Sequence, residues 1–229
     1  MFADRSDHIA KCCLRRWAGP KSVTSQVVSR LATFAGTFYY PISPFSVLRV
    51  LPFVERCMVP ELKILFSREQ IAARVAEMGE QITRDFAGEP VVLVGVLKGA
   101  TIFLSDLSRQ IALDSTFDFI SVSSYGSQKQ NSGEVKLLKD VDQSMEDKNV
   151  ILIEDILDTG LTMAYLKEMI LAHHPRTFRI ATLLDKKCRR RRPIQADYVG
   201  FEIPDEFVVG YGMDYAERYR NLPDICVVG

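Results

Sequence analysis

The sequence predicts an α/β domain: a central, mostly parallel sheet flanked by helices, with a small appended subdomain. Three observations carry that reading. Val91–Val96 (VVLVGV) and Val150–Ile153 (VILI) are continuous apolar runs of strand length, the pattern of strands buried on both faces. Each run is followed by a stretch with helical character. Strand and helix signals then alternate through residue 184, as parallel strands joined by crossover helices require.

In chain order, Ser67-Arg-Glu-Gln70 is a capping box, and Ile71, Val75, Met78 and Ile82 continue it at helical spacing. Pro90 and Lys98-Gly99 bound the first strand. Thr101–Ala112 reads as a helix, and Thr116–Ser124 (TFDFISVSS) as a strand with Phe117 and Phe119 on one face. Tyr125–Gly133 (YGSQKQNSG) is polar, holds two glycines and reads as a mobile loop. The second buried strand ends at Glu154-Asp155, and the turn Asp158-Thr159-Gly160 opens an amphipathic helix to about His173. Phe178–Leu184 adds a strand, and short strands are expected at Asp197–Phe201, Phe207–Gly212 and Ile225–Val228.

The 229 residues, 47% hydrophobic and 25% charged, have ordinary globular composition and length enough for a core that needs no metal or disulfide staple. This excludes collagen-like, disordered and small disulfide-scaffold classes. A net charge of zero points to neither a nucleic acid nor a membrane as partner. Residues 1–57 differ from the rest: they are net positive, with Asp4, Asp7 and Glu55 their acids, and show no sustained period. Leu31–Leu48 lacks charge, but Pro41 and Pro44 interrupt it, against a membrane span. The Arg- and Ser-rich composition resembles a transit peptide, against which Asp4 and Asp7 speak. We expect an N-terminal extension over 1–57, disordered or lying ahead of a true start at Met58, and the folded domain over 58–229. The five cysteines form no C-x-x-C pair and read as reduced thiols of a cytoplasmic protein.

The chemistry concentrates in Val150–Thr162 (VILIEDILDTGLT). Open parallel sheets bind ligands beyond the carboxyl ends of their strands, and a helix N-terminus offers unpaired N–H groups and a positive dipole end to a phosphate. Thr159 and Thr162 add hydroxyls. Glu154 and Asp155 stand ready for ribose hydroxyls or a hard cation such as magnesium (Mg2+). An acidic N-cap with solvated charges is the plainer reading of this spacing taken alone.

The string resembles the phosphoribosyl-diphosphate (PRPP) signature of the purine phosphoribosyltransferases of type I fold, and more narrowly their hypoxanthine-guanine branch. The likeness runs from about Glu61 to Gly229 through five ordered motifs: VGVLKG (Val94–Gly99), SSYG (Ser123–Gly126), EDILDTG (Glu154–Gly160), LLDKK (Leu183–Lys187) and FEIPDEFVVGYGMDY (Phe201–Tyr215). Chance does not order five such segments along one chain. The resemblance implies a type I phosphoribosyltransferase fold with a small hood. It implies that Glu154 and Asp155 contact the donor's ribose, partly through metal-bound water, and that Asp158 is the acid/base group facing purine N7. It places Thr159, Gly160, Leu161 and Thr162 around the 5′-phosphate, Lys98 and Gly99 in the pyrophosphate loop, and Arg220 on the pyrophosphate. Lys186 corresponds to the donor to the 6-oxo oxygen, Phe207 to the ring stacked on the base, and Val208 to the residue whose main chain meets the purine edge. Asp214 corresponds to a residue of the purine site and, with Glu154 and Asp155, to a magnesium ligand. Ser124 and Tyr125 begin the lid.

The implied reaction moves a ribosyl group from PRPP to hypoxanthine or guanine and yields IMP or GMP and pyrophosphate, in a cytoplasmic homodimer or homotetramer. The residue types suit it. An oxocarbenium-like carbon must be shielded from water, which a polar, glycine-hinged lid provides. A donor at Lys186 favours a 6-oxo group over the amino group of adenine.

Singly, each residue has a plainer meaning: Lys98 a solvated strand end, Phe207 a core aromatic, Asp214 a turn cap. His173-His174 suit a helix end. Arg189–Arg192 (RRRR) departs from the family pattern and reads as a solvated loop, with Arg190 a candidate support for the lysine loop. Two other functions share the fold: a regulatory or RNA-binding protein that senses PRPP, and a transferase for xanthine. The full set of Asp158, Lys186 and Phe207 speaks against the first.

Overall fold

The computed structural model describes residues 61–124 and 135–229. The extension expected over 1–57 and the lid expected at Tyr125–Gly133 lie outside the described residues.

The strands are β1 (Leu62–Phe66), β2 (Val91–Leu97), β3 (Ser115–Ser124), β4 (Val135–Lys139), β5 (Asn149–Leu157), β6 (Thr177–Asp185), β7 (Tyr198–Glu202), β8 (Val208–Val209) and β9 (Ile225–Val228). The helices are α1 (Arg68–Phe86), α2 (Thr101–Ser108) and α3 (Leu161–Leu171), with a short 3-10 turn at Lys187–Arg189. Six strands form the central sheet in the order β4-β3-β2-β5-β6-β7. The pairs β3/β2, β2/β5, β5/β6 and β6/β7 are parallel, and β4 closes one edge antiparallel to β3.

Why the apolar runs are continuous is visible in the two cores. Leu93, Ile151 and Ile153 face one side, with Ile71, Val75, Phe103 and Leu104 of α1 and α2. Val92, Val94, Val150 and Leu152 face the other, with Met163, Leu166 and Ile170 of α3. Both faces are covered, so no polar alternation is needed. Each fully buried aliphatic side chain contributes about 1.5–3 kcal/mol.

The capping box holds: Gln70 N donates to Ser67 Oγ at 3.4 Å, and Ser67 N to Gln70 Oε1 at 2.9 Å. The appended subdomain is the three-stranded antiparallel sheet β1-β9-β8, which joins the two ends of the described chain and shares the first core through Val208 and Ile225. Among the expected elements, several have different bounds. Helix α2 stops at Ser108 rather than Ala112, and α3 stops at Leu171. Strand β8 shrinks to two residues because the chain turns back at Gly210, whose N–H bonds Met213 O. Strand β5 continues past Ile153 to Leu157, paired with β6 as far as Asp185. No helix among the described residues is long and apolar enough to cross a membrane.

Candidate active site

The carboxyl ends of the parallel strands β2, β5 and β6 deliver the motif residues to one end of the sheet, where such sheets bind ligands. After β5, Asp158 and Thr159 turn into α3 through Gly160, whose φ of +78° is the left-handed conformation that glycine adopts without strain. Leu161 N donates to Thr159 Oγ1 at 3.4 Å, and the remaining first-turn N–H groups have no intrahelical partner. Glu154, Asp158, Thr159, Gly160 and Thr162 line a cavity of about 200 Å³ over this helix start. Hydroxyls, free N–H groups and the dipole end suit it to an anion such as a phosphate.

Because β5 runs on through the acidic pair, Glu154 and Asp155 are strand residues. Glu154 reaches the cavity with its Oε2 buried and without a hydrogen-bond partner. Burial, with the adjoining Asp155 charge, pushes its carboxyl well above the usual range. Asp155 is 9% exposed, and its Oδ1 accepts from Ile156 N at 2.8 Å. Burial raises it as well, opposed by its hydrogen bonds. Asp158, half-buried, also has a buried oxygen, Oδ1, that accepts no hydrogen bond and meets Arg189 Nε as an ion pair at 3.4 Å.

The Lys98-Gly99 loop sits directly on Asp155. A side chain at Gly99 would put Cβ 1.8 Å from Asp155 Oδ2, and one at Gly212 would put Cβ 2.1 Å from Gly99 O. Only glycine fits at either place. Arg220 is held from three sides: Nη2 lies 2.6 Å from Asp214 Oδ1, Nη1 donates to Gly212 O at 2.8 Å, and Glu217 Oε1 is 3.6 Å from Nη2. Lys98 pairs with Glu217 at 2.9 Å.

Across the site, Lys186 is 5% exposed, an unusual burial for lysine, and its Nζ donates to Glu206 O at 2.8 Å with Asp205 3.8 Å away. The next residue, Phe207, is 53% exposed and meets Tyr215 edge to face at 5.6 Å. An open aromatic face beside a buried ammonium suits a flat heterocycle bearing a carbonyl. Val208 is buried in β8, in register with Val227 of β9.

At Arg189–Arg192 the structure agrees with both parts of the reading, solvent exposure for three of the arginines and a supporting place for Arg190. Arg189, Arg191 and Arg192 are exposed, but the Arg190 side chain is 16% exposed. Arg190 ion-pairs with buried Asp185 and donates to the carbonyls of Leu157 and Asp158 at 3.3 and 3.1 Å. Arg191 N and Arg192 N bond Thr159 O at 2.8 and 3.2 Å, so the loop is bolted to the turn that opens α3. Sequence reasoning missed Asp185, Arg189 and Glu217; only the density of charge around them signalled anything. The described residues hold no group of three or more His, Cys, Asp or Glu side chains placed as a metal cage, and the described contacts of Asp214 are to Arg220 and Glu217 N. Tyr125 lies outside the described residues, and Ser124 ends β3.

A cavity over a helix start, a strand-end carboxylate pair and a buried lysine near an exposed aromatic ring, gathered at one end of the sheet, are the arrangement that the resemblance to the phosphoribosyltransferases implies. Residues 62–216 match the model of the phosphoribosyl transferase domain, and the chain belongs to that family. Among its relatives, it is 49% identical over 166 residues to the hypoxanthine-guanine phosphoribosyltransferase of Bacillus subtilis (strain 168), covering 72% of this chain and 92% of that one. A crystal structure of a hypoxanthine-guanine phosphoribosyltransferase from Bacillus anthracis superposes with a TM-score of 0.71 at 53% identity, over 74% of this chain and all of that one. A Staphylococcus aureus hypoxanthine phosphoribosyltransferase gives 0.70 at 46% identity, over 73% and 91%.

Proposed function

We propose that the chain transfers the 5-phosphoribosyl group of PRPP to N9 of hypoxanthine or guanine, forming IMP or GMP and releasing pyrophosphate. The observation that carries this reading is the pairing, at one end of one sheet, of the phosphate cradle around Asp158 with the buried ammonium of Lys186. Lys186 N bonds Leu157 O at 3.0 Å, so the base pocket and the acid/base carboxylate share one backbone frame.

In this mechanism the N–H groups and hydroxyls of Thr159–Thr162 hold the 5′-phosphate, and Glu154 and Asp155 orient the ribose. Lys186 donates to the 6-oxo oxygen while Phe207 covers the ring. N9 attacks the anomeric carbon, the bond to pyrophosphate oxygen breaks, and Asp158 takes the N7 proton. Lys98 and Arg220 meet the charge that develops on the departing diphosphate.

The orphaned Glu154 Oε2 and the donor set fit a magnesium ion held by one or two carboxylates together with substrate oxygens, as this cation prefers. Glu154 and Asp155 would hold it, with Asp214 once freed from Arg220. It would supply neutralisation of pyrophosphate charge.

The test is pyrophosphate release by the purified chain with PRPP and magnesium, with hypoxanthine, guanine, xanthine and adenine supplied singly. Release with hypoxanthine or guanine and none with adenine is expected. Release with none of the four overturns the proposal.

A further inference from the structure

Lys98 and Arg220 come from distant parts of the chain, one from the end of β2 and the other from the segment ahead of β9, yet both meet one side chain. Lys98 Nζ lies 2.9 Å from Glu217 Oε2, and Arg220 Nη2 lies 3.6 Å from Glu217 Oε1. The two oxygens of a single carboxylate bridge the two cations assigned to the diphosphate. Anionic oxygens of a diphosphate would compete with this carboxylate for the same two cations.

Arg220 does not need Glu217 to be oriented, because Asp214 and Gly212 O already fix its guanidinium. Its Nε, buried and without a partner, leaves it a donor to spare. The position of Glu217 is also costly. Tyr215 N bonds Arg218 O, and Arg218 N bonds Tyr215 O, both at 3.1 Å, closing a tight turn with φ of +52° at Ala216 and +62° at Glu217. Turns with two left-handed central residues favour Asn and Gly, and a glutamate there is strained. Glu217 N, donating to Asp214 Oδ2 at 2.8 Å, holds it in place. The turn therefore presents a carboxylate to Lys98 and Arg220 from a backbone better suited to glycine.

We propose that Glu217 is a built-in competitor of the diphosphate. Its carboxylate occupies Lys98 and Arg220 in the empty site, leaves them when the sugar donor binds, and returns as pyrophosphate departs. The proposal rests on the assignment of Lys98 and Arg220 to the diphosphate made above. The Glu217 side chain is 67% exposed, so it can move into solvent without repacking the core. Donor binding then exchanges one set of ion pairs for another. The affinity for PRPP and for pyrophosphate sits below what the two cations alone would give, which favours product release.

The test compares the full chain with its Glu217→Gln, Glu217→Gly and Glu217→Asp variants. Binding of magnesium pyrophosphate is measured by calorimetry, and the KM for PRPP at saturating hypoxanthine by initial rates. Glu217→Gln should tighten pyrophosphate and lower the KM for PRPP about two- to fivefold, the range of one exposed ion pair, with the KM for hypoxanthine unmoved. Glu217→Gly, which relieves the left-handed strain, should tighten binding to the same degree, and Glu217→Asp should stay near wild type. Unchanged or weaker pyrophosphate binding by the Gln variant overturns the proposal, even with full transferase activity in the wild type. Tighter binding without transfer to any 6-oxopurine supports the competition and overturns the assigned reaction instead.

Discussion

Arg190 donates through Nη1 to the main-chain carbonyl of Asp158 at 3.1 Å, so a loop residue beyond β6 fixes the backbone of the proposed general base at the end of β5. The same guanidinium is ion-paired to Asp185, whose side chain is 4% exposed. Asp185 immediately precedes Lys186. One arginine therefore ties the proposed acid/base group to the lysine proposed to recognise the base.

Arg190→Met would leave the Asp185 charge buried and unpaired, at a cost of about 3–5 kcal/mol. Urea unfolding should show that loss, and the double variant Arg190→Met with Asp185→Leu should recover most of it. Turnover should stay depressed in both, because neither restores the bond to Asp158 O.

Asp158→Asn keeps the shape of the cavity wall and removes the proton acceptor. Steady-state rates should fall about 10²–10⁴-fold in kcat with little change in the KM for PRPP. Equal losses in kcat and in donor affinity would show a binding role instead.

Lys186→Ala deletes a charged donor from a pocket where the ammonium is nearly enclosed. The kcat/KM for hypoxanthine and guanine should drop about 10–100-fold, the range of a hydrogen bond to a charged group. PRPP binding in the absence of a purine should be preserved.

Tyr211 anchors the 210–220 segment on α2 by donating its hydroxyl to Asp106 Oδ2 at 2.6 Å. Burial first, then that bond, raises its phenol above the ordinary value. A group raised on folding contributes stability that is intact below its unfolded pKa, near 10 for a phenol, and lost as pH climbs toward the folded value. Thermal melts should therefore show wild-type stability falling above about pH 10. Tyr211→Phe should be less stable by about 1 kcal/mol at neutral pH and lack that share of the alkaline loss.

The legible parts of the molecule were those written in local chemistry. Ser67 and Gln70 announce α1 because both halves of a capping box lie within one turn, and VVLVGV announces β2 because both of its faces are covered. β1 (LKILF) and β4 (VKLLK) went unread. Each is half-exposed, and β1 finds its partner β9 across almost the whole domain, from Leu62 to Val228. β5 outran its expected end because Glu154 pairs with Thr182 in a ladder to which side-chain charge is irrelevant. The site's segments could be named from their strings. The partnerships among them, Lys98 with Glu217 and Arg189 with Asp158, depend on how separate loops fold over one another. No spacing along the chain encodes that.

Gly99 is clasped between the Asp155 carboxylate on one side and Gly212 on the other, with no room for a methyl group at either contact. Such a joint transmits displacement without slack. If the Lys98-Gly99 loop shifts to receive a donor, it must carry the hairpin bearing Asp214, Glu217 and Arg220 along with it, or first part from it. A substitution that loosens the clasp should uncouple donor capture from the arrangement of the residues proposed to stabilise its leaving group.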